Sequence, residues 1–295
     1  MPKKFIASFA ILACLAFAAP ASAHMLWVNL YESYVHPPGH AIASIGWGHV
    51  LPMDDIAKAA GLEAYSLVAP DSKVTALALP AEAKKESKNT KASGMVISGG
   101  DVGARKITLT DESKPGTYQV ALVGKDNYYT IFIDQNGKQR WAPKSMDQVK
   151  EAKKVLGAMF YKGYAKSYFK VKEWSQPKPL GHDLEIMPVG DLSNVRVGDK
   201  VDFKITFMGK PINTSPEKSI EYITATSNTF GGPDKFTLAS MIFSGKGGFR
   251  FPSAGQWVVN VYHRQNVKDN PDLKHLAKKC HTVLRAATIS FNVTP

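Results

Sequence analysis

The sequence predicts a mainly β protein with two antiparallel β-sandwich (Ig-like) domains in series and a connecting helical segment. Two observations predict this fold class. Short stretches rich in β-branched and aromatic residues alternate with Gly, Pro, Asn and Asp along most of the chain. A Gly followed closely by an aromatic residue at a strand start also occurs twice, in Pro115-Gly116-Thr117-Tyr118 and in Ala254-Gly255-Gln256-Trp257. Two similar sandwiches in series would produce such a repeat.

Nine segments have the composition and turn boundaries of strands, five of them before the helical segment and four after it. They are residues 25–30, 41–47, 64–68, 116–123, 128–134, 201–207, 248–251, 256–262 and 286–293. We therefore predict an N-terminal sandwich over residues 24–144 and a C-terminal Ig-like sandwich over residues 181–295.

The connecting segment, residues 145–180, is predicted to be helical. Ser145 is followed three residues later by Gln148, as in a capping box. Apolar residues then recur at helical spacing as far as Phe160. We expect a helix from Ser145 to about Phe169, of which the aromatic-rich segment 161–169 either continues the helix or forms a strand. Pro177 and Pro179 mark the boundary of the second domain.

Residues 1–23 have the three parts of a secretory signal peptide. Lys3 and Lys4 precede an apolar stretch that is too short to span a bilayer, and Ala21-Ser22-Ala23 forms a small-x-small cleavage site. Cys14 is interpreted as part of the signal rather than as a lipid anchor. We therefore expect a periplasmic or secreted protein whose mature chain begins at His24 and is soluble.

Charge and cysteine usage exclude several function classes. The net charge of +12 arises from 37 basic and 25 acidic residues, but the lysines are scattered rather than gathered into one tract. An exported protein with this charge pattern is not expected to bind nucleic acid. Cys280 would be the only cysteine of the mature chain, so no intrachain disulfide is expected. No nucleophile elbow and no phosphate-binding loop is found, and an enzyme is the less favoured expectation.

An N-terminal histidine carries two metal-binding nitrogens, its α-amine and a ring nitrogen. Together they chelate a metal ion in a six-membered ring, and both lose their protons easily, with pKa values of about 8 and 6.5. One further imidazole completes a set of three nitrogens suited to Ni, Co, Cu or Zn. His24 would become such a residue after cleavage.

The predicted pairing of the first two strands supplies the second imidazole. The turn-like segment His36-Pro37-Pro38-Gly39 lies between them, and a hairpin centred there pairs residues whose numbers sum to 73. His24 then faces His49, with two carboxylates close by in the sequence, those of Asp54 and Asp55. Four histidines are candidate metal ligands: His24, His49, His40, which pairs nearer the turn, and His263, which ends a strand of the second domain.

The chain resembles domain-of-unknown-function family 4198, formerly described as a component of nickel/cobalt transport complexes. The residues that carry the resemblance are Ala23-His24-Met25-Leu26-Trp27 and Gly46-Trp47-Gly48-His49, followed by Pro52 and Asp54. The resemblance implies an envelope protein with Ig-like domains, a role in nickel or cobalt handling, and an inner-membrane metal transporter as partner. His24 and His49 match the family's histidine pattern, and His263 matches a looser one.

Three hypotheses about function follow. The leading one is a periplasmic protein that binds a divalent transition metal at His24 and assists nickel or cobalt uptake. The second is a copper mono-oxygenase-like enzyme, because such enzymes also hold copper with a terminal histidine on a β-sandwich. The third is a structural or adhesive module without a metal, in which His49 only ends a strand and His24 belongs to a disordered terminus.

Overall fold

The computed structural model describes residues 24–82, 99–212, 222–230 and 237–295. The predicted signal peptide, including Cys14, lies outside the described residues. The protein is mainly β, as predicted, and each of the nine predicted segments forms a strand. In the described part of the chain no helix has the length and apolar character needed to cross a membrane. Cys280 is buried and is not in a disulfide.

The described residues form seventeen strands and four short 3-10 helices. The strands are β1 (Met25–Ser33), β2 (His40–Gly48), β3 (Leu62–Val68), β4 (Val74–Ala76), β5 (Arg105–Thr108), β6 (Gly116–Gly124), β7 (Asn127–Asp134), β8 (Gln139–Ala142), β9 (Ala152–Val171), β10 (Leu184–Val189), β11 (Lys200–Phe207), β12 (Lys210–Pro211), β13 (Tyr222–Ser227), β14 (Leu238–Met241), β15 (Lys246–Arg250), β16 (Gly255–Asn266) and β17 (Thr282–Val293). The 3-10 helices are Ala59–Gly61, Met146–Gln148, Val267–Asp269 and Pro271–Leu276.

The strands form one large sheet and two small ones. The large sheet has the order β14-β13-β16-β17-β9-β6-β3-β4, and β7 pairs with the first half of β9 while β8 pairs with β7. One small sheet is β1-β2-β5, and the other contains β10, β11, β12 and β15. Strands β17 and β9 pair in parallel at the centre of the large sheet. This parallel pair joins the two halves of the chain.

The two small sheets cover opposite faces of the large one, and β9 shows this most clearly. Ala165 and Phe169 belong to the core shared with β1 and β2. Tyr164 and Tyr168, one residue earlier in each case, belong to the core shared with β10 and β11. Successive side chains of a strand point to opposite faces. The centre of the large sheet is therefore the middle layer of three, and both sequence halves contribute to it.

The predicted helix is wrong, whereas the alternative of a strand over residues 161–169 is confirmed. Only Met146–Gln148 is helical, as one 3-10 turn, and β9 occupies Ala152–Val171. In the first part of β9, two β-bulges each add one residue, Lys153 and Leu156, and break the two-residue alternation. From Ala158 onward β9 is covered on both faces, so its apolar residues do not alternate with polar ones there. Its aromatic residues favour a strand. The connector is thus a shared central strand, and the division into two Ig-like domains stays a prediction.

Side chains of β17 satisfy the free edge of β1. Strand β1 pairs with β2 on one side only, so alternate carbonyls on its other side need donors. Three polar side chains of β17 donate hydrogen bonds to these carbonyls. Thr288 donates to Leu26 at 2.6 Å, Ser290 donates to Val28, and Asn292 donates to Leu30 at 3.2 Å. The N-terminal strand is thereby attached to the C-terminal strand, which fixes the position of His24.

Candidate metal centre

The register of β1 and β2 brings two histidines together. Met25 pairs with Gly48, and every facing pair along the two strands sums to 73, as predicted. His24 directly precedes β1 and His49 directly follows β2, so both lie at the same end of the hairpin. Their ring centroids are 4.3 Å apart and the ring planes are inclined by 50°.

Gly46 is required by the tryptophan that faces it. A Cβ atom at residue 46 would lie 2.0 Å from Nε1 of Trp27 on the paired strand. Trp27 is buried, and its indole N–H donates to Oδ1 of Asn29 at 2.9 Å and to the carbonyl of Pro52 at 3.1 Å. The ring cannot move away without losing these bonds, so glycine is the residue that permits this close pairing.

Gly48 shapes the turn that carries His49. Its φ of +121° lies in the region that favours glycine, and a Cβ atom there would lie 1.8 Å from Oδ1 of Asp54. That oxygen accepts hydrogen bonds from the backbone N–H groups of His49 at 2.6 Å and Val50 at 3.1 Å. The Asp54 carboxylate therefore folds the chain back at the end of β2 and fixes the backbone of His49.

Each imidazole has a carboxylate near it, and that of His24 also stacks on a tryptophan. Nε2 of His24 lies 3.6 Å from Oδ2 of Asp55, and Nδ1 of His49 lies 3.5 Å from Oδ2 of Asp54. Trp47 stacks on His24 with a centroid distance of 5.4 Å and an interplanar angle of 18°. Carboxylates commonly orient metal-binding histidines in this way through the ring nitrogen that does not bind the metal.

A pocket of about 150 Å³ lies beside His24 and is lined by His24, Trp47, Tyr129, Met159 and Tyr161. The last three residues come from β7 and β9. The hydroxyl of Tyr161 donates to the carbonyl of His24 at 3.4 Å, and burial raises the pKa of this phenol, so it remains neutral. The sequence did not predict these residues, because a helix was expected at Met159 and no strand was therefore predicted there to pair with the one that contains Tyr129. The two-residue spacing of Met159 and Tyr161, which is typical of two residues on one face of a strand, is the feature of the sequence that indicates their shared position.

The other two candidate ligands lie elsewhere. His40 pairs with Ser33 at the opposite end of the β1-β2 hairpin. His263 is on β16, and its ring packs against Phe207 of β11 with a centroid distance of 4.1 Å. This contact places His263 on the face of the large sheet that β10 and β11 cover, whereas β1 covers the other face. The structure therefore brings His24 and His49 together without His40 or His263.

Comparison with known proteins gives one family. Residues 21–265 match the model of the family described as Domain of unknown function (DUF4198). The chain belongs to this family. No curated protein shows a significant match to the chain. The DUF4198 match includes His24, His49 and the β7 and β9 residues of the pocket, and its description names no activity.

The two imidazoles of His24 and His49 are the donors that this site offers to a metal ion. Within the described ranges, no three His, Cys, Asp or Glu side chains are grouped so as to hold a metal. The α-amine of a chain that begins at His24 would be a third nitrogen at the same place. The side chains of His24 and His49 are 45% and 31% exposed, so an ion can reach them. Two imidazoles and an amine fit a late first-row divalent metal.

The pH dependence of stability should reveal the role of Asp54 in the metal-free protein. Burial raises its pKa, but the N–H groups of Val50 and His49 outweigh this and hold the pKa below its ordinary value of 3.8. A carboxylate with a lowered pKa stabilises the fold above that ordinary value, and this contribution disappears as the pH falls through the folded pKa. Asp54→Asn should therefore lower the urea midpoint at pH 7. The difference in urea midpoint between the variant and the wild type should shrink as the pH falls below 3.8 and through the lower folded pKa. A difference that is independent of pH would contradict this role.

Proposed function

We propose that this protein is an exported, periplasmic metal-binding protein whose site is formed by the mature N-terminal histidine, His24, together with His49. Its role would be to capture a divalent transition metal and assist its uptake. The observation that carries the proposal is the juxtaposition of these two imidazoles at the start of β1 and the end of β2, at 4.3 Å between ring centroids. The rest of the site supports the same conclusion.

Cleavage after Ala23 would create the third donor. The new α-amine and Nδ1 of His24 are separated by the number of atoms needed for a six-membered chelate ring. The Asp55 carboxylate faces the other nitrogen of that ring, Nε2, which orients Nδ1 toward the amine side. Asp54 faces Nδ1 of His49, so His49 would bind through Nε2. Processing would thus convert a pair of histidines into a ligand set of three nitrogens.

The exposure of the site suits exchange rather than permanent storage. With 45% and 31% of the two histidine side chains exposed, an ion can enter and leave without opening the fold. An uptake protein must release its cargo to a partner, and we propose an inner-membrane metal transporter in that role. The three-nitrogen set is compatible with Ni, Co, Cu and Zn. Nickel or cobalt is the cargo that the family resemblance implies.

Isothermal titration of the protein beginning at His24 tests this proposal. We expect one Ni²⁺, Co²⁺, Cu²⁺ or Zn²⁺ ion to bind per chain. His49→Ala should weaken binding by about 100-fold or more because it removes a ligand, a larger loss than that of an outer-shell partner. His40→Ala is the matched control, since His40 lies on β2 at the far end of the hairpin, and it should leave the affinity unchanged.

Two results would contradict the proposal. One is a Kd weaker than about 1 mM for all four ions, which corresponds to about 4 kcal/mol of binding free energy. That result would favour the third hypothesis, a structural or adhesive module. The other is an equal loss of affinity in His49→Ala and His40→Ala, which would place the metal elsewhere.

A specific observation favours a copper mono-oxygenase-like enzyme as the second candidate. The sheet face that continues from the pocket carries two exposed apolar side chains, Ile131 at 44% and Trp141 at 69% exposed, which pair across β7 and β8. Such an enzyme needs an accessible surface for its substrate beside the metal. The copper-loaded protein should then consume oxygen in the presence of ascorbate faster than free copper does. A rate of oxygen consumption no higher than that of free copper would contradict the enzyme function, and metal binding would be the remaining role.

A further inference from the structure

We propose that Met159 is an additional ligand of the His24 site and that its thioether makes this site select copper, including Cu(I), over nickel and cobalt. This inference rests on the proposed function, because it requires a metal bound at His24 and His49. It narrows the candidate metals from Ni, Co, Cu and Zn to copper, and it attributes this selectivity to Met159 on β9.

The position of Met159 is fixed by strands on both sides. It pairs with Tyr129 of β7 on one side and with Thr282 of β17 on the other. It also lies two residues before Tyr161, on the same face of β9, and Tyr161 contacts the His24 carbonyl. The thioether is therefore presented to the pocket from the middle of a sheet. Among the five residues that line this pocket, Met159 is the only one with sulfur.

The remaining surroundings favour an ion of low charge. Apart from His24, the pocket is lined by aromatic rings and the methionine, while Asp54 and Asp55 face the histidine rings from outside it. Removing an ion from water into apolar surroundings costs less for a single charge than for a double one. Soft thioether ligands select Cu(I), whereas imidazole and amine nitrogens also suit Cu(II). Three nitrogens and one sulfur therefore suit both oxidation states of copper.

Packing alone would be a different role for Met159, since it also contacts the cluster of Tyr161, Leu284 and Ala286. The two roles are separable because leucine replaces the volume of methionine without its sulfur. The chain also offers a matched control. Met53 follows β2 near His49 but packs against Trp27 and Leu51 in a separate cluster, away from the pocket.

The test compares Met159→Leu and Met53→Leu in the protein that begins at His24. Cu(I) affinity is measured without oxygen by competition with bicinchoninate, and Ni²⁺ and Cu²⁺ affinities by isothermal titration. We expect Met159→Leu to weaken Cu(I) binding by about tenfold or more and to leave Ni²⁺ binding unchanged, because nickel gains little from a thioether. Met53→Leu should change neither. X-ray absorption of the wild-type Cu(I) protein should show sulfur in the first coordination shell.

The outcomes distinguish this inference from the proposed function. If Cu²⁺ binds and depends on His49, but Met159→Leu keeps the wild-type Cu(I) affinity or the wild-type spectrum shows no sulfur, the inference is overturned and the proposed function stands. If no metal binds in a way that depends on His49, both fail. The absorption measurement uses the wild-type protein, so it decides the question even where the leucine variant is unstable.

Discussion

Replacing Lys166 by methionine should lower the free energy of unfolding by about 3–5 kcal/mol, because it leaves a charge unpaired in the interior. Lys166 on β9 and Glu185 on β10 are each 3% exposed, and Nζ lies 2.6 Å from Oε1. Burial lowers the pKa of Lys166, although Glu185 opposes this. Glu185 also accepts hydrogen bonds from the backbone N–H groups of Leu180 and Gly181, which hold it in place when the lysine is removed.

Urea denaturation at pH 7 measures this effect, and Lys170→Met is the matched control. Lys170 lies on the same face of β9, but its ion pair with Asp191 is long, at 3.8 Å, and partly exposed. Its removal should cost less than about 1 kcal/mol. The double variant Lys166→Met/Glu185→Gln should recover much of the loss, since no unpaired charge remains. Equal effects of the two single lysine variants would refute the assignment of a buried pair.

Gly46→Ala should destabilise the protein by about 3 kcal/mol, at the upper end of ordinary overpacking. The added methyl group would lie 2.0 Å from the Trp27 indole, which two hydrogen bonds hold in a buried position. Strands β1 and β2 must separate to relieve the contact. Because His24 and His49 are positioned by the same two strands, we expect the variant to lose metal affinity as well.

Gly157→Ala is the control for the alanine substitution itself. Gly157 also lies within a strand, but a Cβ atom there would meet no atom within 4 Å. Alanine at such a position reduces the entropy of the unfolded chain, so this variant should be neutral or slightly stabilised. Thermal unfolding of both proteins provides the comparison. Similar melting temperatures for the two variants would show that Trp27 can move aside.

The sequence was sufficient for the features that depend on local pattern. The two strand-like segments and the turn His36-Pro37-Pro38-Gly39 midway between them predicted the β1-β2 register, and with it the facing of His24 and His49. It was not sufficient for β9. Two bulges in the first part of β9 disturb the two-residue alternation, and the rest of the strand is buried on both faces and has no polar side. The apolar residues therefore matched a helical spacing by chance.

The error in β9 also explains which parts of the site were missed. Met159, Tyr129 and Tyr161 reach His24 only because β9 and β7 are strands that pair beside it. The contacts of Trp47 with His24 and of Asp55 with the same ring depend on the fold of the turn after Gly48. Such contacts arise from tertiary packing and from a backbone conformation that no periodicity in the sequence reports.

The most direct test of the account is the metal affinity of two proteins that differ only at the N-terminus. Both begin at His24, but in one the α-amine is free and in the other it is acetylated. The histidine pair and its carboxylates are the same in both, but only the first has a basic amine beside the His24 ring. We expect the acetylated protein to bind Cu²⁺ and Ni²⁺ at least about 100-fold more weakly, because one of three ligands is lost and the six-membered chelate with it. Equal affinities would show that the terminal amine is not a ligand and would contradict the central claim.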